Sequence, residues 1–390
     1  MSHALLSPSG ASRWLACTPS ARLEQQFPDT SGEAAKEGSL AHELCETLLK
    51  YHVKQIKKSA YSKAIQEITA NPLYNADMQT YAEGYAAFVM ERFAEAKKRN
   101  KDAVLNIEVK LDMSEYVPEG FGTGDAVIIA DGILDIIDFK YGKGVQVSAV
   151  DNKQMMLYSL GALDEFDILF DIHTVRATIY QPRIDNISSW EITVDDLKRW
   201  ADLELIPRAA MAFDGDGEFI PGSHCQFCRA KAQCKAIAAE NLKLAKYDFQ
   251  NGELLSEDDI ADILSRADAF KKWINAVEDY ALKEAVDNDR TWPGYKLVEG
   301  RSNRVYADQD AVAKRLIGNG IPEEILYTKS LLGITAMEKA LSKKTFEEIC
   351  SDLVIKPQGK PTLVPLSDKR PAINKIEGAI NEFKNEPIND

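Results

Sequence analysis

Apolar residues recur at helical spacing through the first hundred positions, and then the period changes. Residues 7–26 open with a short helix, with Ser7 or Ser9 as its cap and Trp14, Leu15 and Cys17 on or near its inner face. Residues 32–54 predict a helix whose apolar side is Ala41, Leu44, Leu48 and Leu49. Residues 76–99 predict another, striped by Tyr81, Tyr85, Phe88, Val89 and Phe93. From residue 103 the pattern alternates. Residues 103–113, 123–132 and 133–142 read as three strands, the last two joined by a turn at Asp131-Gly132. Residues 152–166 return to helix, 174–183 form a β-branched strand, and 193–213 are helical again. The expected core is α/β: a mixed sheet built from a three-strand meander plus a later strand, flanked by helices.

Beyond about residue 245 the chain turns polar. A long amphipathic helix is expected over 256–288, a hairpin around Gly300 in 294–306, and then short helices and a Pro/Lys-rich tail. There is no internal repeat. The expected division is residues 1–245 as one domain and 246–390 as a mainly helical extension.

The chain has 390 residues, 45% of them hydrophobic, which is enough to bury a substantial core. Net charge is −14, which argues against a general nucleic-acid coat protein but not against an enzyme with a local basic groove. Six cysteines do not make a disulfide scaffold; their clustering points to metal ligation in a reducing compartment. With neither a signal-peptide pattern nor a membrane-length apolar run, the expectation is a cytoplasmic protein without a membrane partner.

The chemistry concentrates in the alternating region. Asp125 lies in Gly122-Thr-Gly-Asp125 beside one strand, and Asp138 and Lys140 sit at the end of the next. Residues i and i+2 of a strand share a face, so Asp138 and Lys140 project together, and Asp125 can reach the same place from its neighbour. Two convergent carboxylates suit a hard divalent cation such as Mg2+ or Mn2+, and a lysine there suits charge developing on a phosphate. His42 offers a third ligand from the early helix. Gln154 and Tyr158, at i and i+4, share one face of the next helix.

Taken in order, Gly38-x-x-x-His42, Glu108, Gly122-x-Gly-Asp125, Asp138-x-Lys140 and Gln154-x-x-x-Tyr158 resemble the RecB-type branch of the PD-(D/E)XK nucleases. The resemblance implies a restriction-endonuclease-like mixed sheet and metal-dependent hydrolysis of phosphodiesters in DNA. It implies His42, Asp125, Asp138 and the Phe139 backbone carbonyl as metal ligands and Lys140 as the catalytic lysine. Gln154 and Tyr158 match the final motif, and Glu108 an acid often present on the first strand. Many relatives carry Glu where this chain has Asp138.

Cys225, Cys228 and Cys234 form a C-x2-C-x5-C run, and Cys17 lies far upstream. Spacing alone leaves structural zinc and an iron–sulfur cluster open. The opening Ser7-Pro-Ser9…Cys17-Thr-Pro19 resembles that of iron–sulfur RecB-type nucleases, including those beside CRISPR loci and the AddB subunit. This implies a 4Fe–4S cluster on Cys17, Cys225, Cys228 and Cys234, stapling the ends of the nuclease segment together. Cys45 and Cys350 read as ordinary buried thiols.

The tail resembles that of an uncharacterised phage and prophage family. The expected activity is therefore a deoxyribonuclease, an exonuclease serving phage DNA recombination or replication, working beside a phage annealing or replication protein. The alternative is a DNA-end-binding subunit that does not cleave. Lysines gather at 50, 54, 57, 58 and 63, a second basic cluster is Lys97, Lys98, Arg99 and Lys101, and Arg229, Lys231 and Lys235 decorate the cysteine region. Such runs read first as solvated faces, with a groove near His42 as a place for DNA.

Overall fold

β-branched and aliphatic residues fill the runs that become the middle of the sheet. The computed structural model describes residues 4–28, 32–130, 132–167, 169–243, 255–298, 308–319, 322–326, 333–350 and 353–354. A turn at Pro8–Gly10 leads into α1 (Ala11–Ala16) and α2 (Ser20–Glu24), followed by α3 (Glu33–His52), α4 (Lys58–Thr69) and α5 (Ala76–Arg99). Strands β1 (Val104–Asp112), β2 (Phe121–Ala130) and β3 (Gly132–Phe139) come next, then α6 (Lys153–Phe166), β4 (Ile172–Gln181) and β5 (Asn186–Thr193). After these come α7 (Val194–Trp200), a π-helical turn at Ala201–Leu205, α8 (Ile206–Asp214), α9 (Lys235–Leu242) and the long α10 (Glu257–Asp287).

The five strands lie in sequence order, β1-β2-β3-β4-β5. β3 and β4 are parallel and every other neighbouring pair is antiparallel. A parallel pair needs a crossover, and α6 supplies it. Each sheet face carries its own core. α6, α7, α8 and the N-terminal turn pack on one face with Val127, Leu134, Ile136 and Val175. α3 and α5 cover the other with Ile107, Ile128, Ile137 and Phe139. This is the expected mixed sheet flanked by helices.

Local signals explain the starts of several helices. Asn75 accepts from the Met78 N–H at the start of α5, Asn152 from Met155 at α6 and Thr193 from Asp196 at α7. Ser256 and Asp259 form a reciprocal capping box at α10. The opening helix departs from expectation. It divides into a turn, α1 and α2, and the side chain of Ser7 caps nothing; its carbonyl accepts from Trp14 Nε1 at 3.0 Å. β5 and α4 were not expected. β5 is an edge strand whose outer positions, such as Ile187, lie in solvent, so its alternation is weak. α4 buries little beyond Ile68.

Contacts divide the chain into two compact units, Met1–Trp292 and Pro293–Asp390. The boundary expected at residue 245/246, Asp131 of the expected turn and the tip of the expected hairpin at Gly300 lie outside the described residues. The second unit contains α11 (Gln309–Gly318), α12 (Glu323–Leu326), α13 (Ile334–Leu341) and α14 (Lys343–Cys350). Among the described residues no helix is long and apolar enough to cross a membrane.

Candidate active site

Antiparallel register places Glu108, Asp125 and Asp138 in one row across β1, β2 and β3. Ile107 pairs with Ala126 and Val109 with Gly124, which sets Glu108 opposite Asp125. The β2–β3 ladder ends at the Ala126–Ile137 pair, next to Asp125 and Asp138. At this row two strands change face. In β1, Leu105 and Ile107 join the α3/α5 core, whereas Val109 and Leu111 join the α6 core. In β2, Ala126 and Ile128 join the α3/α5 core, whereas a Cβ on Gly124 would touch Val109 and Leu111. Strict alternation would keep these odd or even sets on one side. The exchange coincides with a left-handed backbone at Glu108, φ 50°. A non-glycine residue held there costs of order 1–3 kcal/mol, and such strain collects at functional sites.

The exchange brings both strands within reach of α3. His42 Nδ1 lies 3.2 Å from Asp125 Oδ1. Ligand atoms of His42, Glu108 and Asp125 all fall within 4.8 Å of one another, and no other set of three His, Cys, Asp or Glu among the described residues does so. The His42 ring sits edge-on to Phe139, centroids 5.4 Å apart, and the Phe139 N–H donates to Asp125 Oδ2 at 2.7 Å. That bond ties the second acid to the strand carrying the third.

Asp138 faces the other way, towards α6. Lys140 Nζ lies 2.9 Å from its Oδ2 and donates to its Oδ1 at 3.3 Å. Lys140 also donates to Gln154 Oε1 at 2.9 Å. Gln154 Nε2 in turn donates to Asp138 Oδ1 and to the Tyr158 hydroxyl, both at 3.2 Å. Asp138 Oδ2 is buried, with the Lys140 ammonium against it. The structure thus gathers these residues around one row across β1, β2 and β3, in two groups. His42, Glu108 and Asp125 form one, and Asp138, Lys140, Gln154 and Tyr158 the other. Glu108, not Asp138, completes the closest ligand set, and its left-handed backbone carried no signal in the sequence.

The electrostatics are those of crowded charge. Burial opposes protonation of His42, but Asp125 and Asp138 outweigh it and raise the imidazole to about 9. Burial, and then Asp125, raise Glu108 to about 7. Burial works against the Asp125 carboxylate too, yet His42, the Phe139 N–H and Lys140 hold it below its ordinary range. Burial and Asp125 push Asp138 up, with Lys140 offsetting. The first group holds a proton where a cation would compensate the carboxylates better. Its imidazole and two acids fit a divalent cation.

The four cysteines converge on a second place. Cys17, Cys225, Cys228 and Cys234 line one cavity with Arg13, His224 and Lys231. Burial raises the Cys17 and Cys225 thiols and pushes Cys228 up to about 12. Polar bonds close the chain around the cavity: Arg13 Nε to Glu24 Oε2 and the Arg229 N–H to Glu24 Oε1, both 2.7 Å, and Arg208 Nη1 to the Leu15 carbonyl, 2.6 Å. Convergent thiols from both ends of the first 234 residues fit a thiolate-bound metal group. Cys45 is buried beside the first site, and Cys350 is half-buried.

Two solved structures resemble the chain in part. One is a crystal structure named "Putative exonuclease" from Eubacterium rectale, 13% identical, with a TM-score of 0.33, covering 66% of this chain and 92% of that one. The other is the crystal structure of SSO0001, 16% identical, with a TM-score of 0.21, covering 56% of this chain and 95% of that one. Residues 3–371 match a family described as "Protein of unknown function (DUF2800)", and the chain belongs to that family.

Proposed function

We propose that this protein is a metal-dependent deoxyribonuclease, an exonuclease of the RecB-like PD-(D/E)XK type acting in phage or prophage DNA recombination or replication. The observation that carries the reading is the row Glu108–Asp125–Asp138, flanked by His42 on one side and Lys140 on the other. His42, Asp125, Asp138 and the Phe139 carbonyl would hold Mg2+ or Mn2+, with Glu108 beside them. A bound cation would supply an activated water and charge neutralisation at the phosphate.

The chain's own residues do the rest. The Phe139 N–H fixes the Asp125 carboxylate, leaving Oδ1 towards His42. Gln154 grips Lys140 and Asp138 at once and so aims the ammonium along the acid row. From there Lys140 can orient water or meet the negative charge that grows on a non-bridging phosphate oxygen. Tyr158 anchors Gln154 from the next turn of α6. Residues 1–245 would contain all of this chemistry, leaving 246–390 as the extension.

The cysteine cavity would hold a 4Fe–4S cluster, with structural zinc as the alternative. Four thiolates at one cavity satisfy the ligand set of either group.

The test is cleavage of linear duplex and single-stranded DNA, labelled separately at each end, with Mg2+ or Mn2+. Lys140→Ala should lower cleavage by about 100- to 1,000-fold, the usual cost of removing a group aimed at transition-state charge. Cleavage that persists in Lys140→Ala would reject this active site. Binding without cleavage by the wild type under either metal would favour a DNA-end-binding subunit.

A further inference from the structure

We infer that the lysine-rich end of α3 and the start of α4 form the surface that grips the phosphodiester backbone of the DNA. The inference rests on the nuclease reading and adds where the polymer lies. In a chain of net charge −14, no Asp or Glu occurs between Glu46 and Glu67, while Lys50, Lys54, Lys57, Lys58 and Lys63 all do. Lys54, Lys57, Lys58 and Lys63 are exposed. Lys50 pairs with Glu46 and Lys63 with Glu67, but Lys54, Lys57 and Lys58 have no ion-pair partner among the described residues.

Two features tie the patch to the candidate site rather than to general solvation. The first is continuity. His42, Glu46 and Lys50 succeed one another at i, i+4 and i+8 on α3, so one helix face runs from the metal-ligand set to the lysines. Glu46 and Lys50 both act electrostatically on Glu108. Eight residues of helix span roughly 12 Å, about three to four phosphates of one DNA strand at ~3.4 Å each along the axis. A strand whose scissile phosphate lies at the acid row would therefore meet the lysines a few nucleotides away.

The second is that helix stability does not select these cations. Lys57 is the N-cap of α4 and Lys58 its first residue, and the first turn carries no acid. Positive charge at that end opposes the helix dipole, by about 0.3–1 kcal/mol per charge. Lys54 adds a left-handed backbone, φ 62°. The stacked ring pair Tyr51–Tyr61, centroids 4.2 Å apart, joins α3 to α4 and holds the lysines as one surface. A polyanion of regular charge spacing, read without regard to sequence, fits it.

The test compares Lys54→Glu/Lys57→Glu/Lys58→Glu with Lys97→Glu/Lys98→Glu/Lys101→Glu, which makes the same charge change at the end of α5. Glu at the start of α4 favours that helix, so the first variant should fold. Affinity for a short duplex is measured against salt by fluorescence anisotropy, in EDTA and again in Ca2+. The wild type should bind, and the α3–α4 variant should bind about tenfold or more weakly. Its salt slope should be shallower by about 2–3, near 0.9 for each phosphate that is no longer neutralised. The α5 variant should match the wild type. Equal losses in the two variants would make bulk charge the cause and overturn the inference. An α3–α4 variant that binds DNA normally would overturn it and leave the nuclease reading standing; release of that variant from phosphatidylserine vesicles would then assign the patch to a lipid surface. A wild type that binds no DNA in either condition would overturn both.

Discussion

Glu108 stands opposite Asp125 at the row where β1 and β2 exchange faces, with its backbone in the left-handed region. The strain and the buried charge both serve one arrangement, two carboxylates and the His42 imidazole within 4.8 Å. Glu108→Gln keeps the shape and removes the charge. In the metal-free protein it should raise the melting temperature at pH 8, because the wild-type carboxylate is desolvated and faces Asp125. Mn2+ affinity should fall about tenfold or more, since each charged ligand matters to a hard cation. Thermal melts and calorimetric titration check the two halves, and unchanged Mn2+ affinity would remove Glu108 from the ligand set.

The same crowding sets a pH dependence. Glu108 is raised from 4.5 to about 7 and His42 from 6.5 to about 9, so both hold their proton more tightly folded than unfolded. Their contribution to stability is complete below the unfolded values. It drains as pH rises through the folded ones. Metal-free protein in EDTA should therefore melt at lower temperature as pH climbs from about 5 to about 9, by several degrees. Saturating Mn2+ should flatten the decline, because it takes the place of both protons. His42→Ala/Glu108→Gln should be flat in EDTA; a double variant with the wild-type slope would place the titrating groups elsewhere.

Cys228 and the other three thiols line a cavity shared by both ends of the first 234 residues. On the proposed reading, Cys228→Ser should abolish metal-group binding and lower the melting temperature, with Cys17 and its helix losing their tie to residues 225–234. Iron and sulfide analysis and visible absorbance after anaerobic purification are the measurements. A colourless wild type with stoichiometric zinc would reject the iron–sulfur assignment and keep the structural one.

Much of the fold was legible because its central strands and helices carry strong periods. Residues 126–130 are apolar and buried on both faces, and α5 shows a continuous stripe. β5 and α4 were not, because each buries one thin row and their sequences look like solvated connections. The site residues were legible as a set of types in order, and the structure gathers each of them. Their grouping was not. Strand alternation puts Asp125 and Asp138 on one face, and it cannot show that β1 and β2 turn over at Glu108 and Asp125. In β1 the exchange coincides with one left-handed residue whose side chain, a glutamate, gives no hint of it. The exchange explains why His42 on α3 and Gln154 on α6, helices on opposite faces of the sheet, serve one row of acids.

Gly122 tests whether the α6 side of that row is positioned by packing. A Cβ there would lie 2.7 Å from Tyr158 Cε1 and 2.9 Å from Pro8 Cγ. The ring is held between β2 and the N-terminal turn, and its hydroxyl anchors Gln154, which holds Lys140 and Asp138. Gly122→Ala must therefore push Tyr158 or Pro8 aside, at about 1–3 kcal/mol for overpacking a full core. If the ring moves, Gln154 loses its anchor and cleavage should fall about tenfold or more, while Mn2+ binding at His42, Glu108 and Asp125 stays near wild type. Tyr158→Phe, which keeps the ring and removes the hydroxyl, should reproduce part of the kinetic loss with little change in melting temperature. Full cleavage by Tyr158→Phe would show that Tyr158 fills space in the core and does not position Gln154.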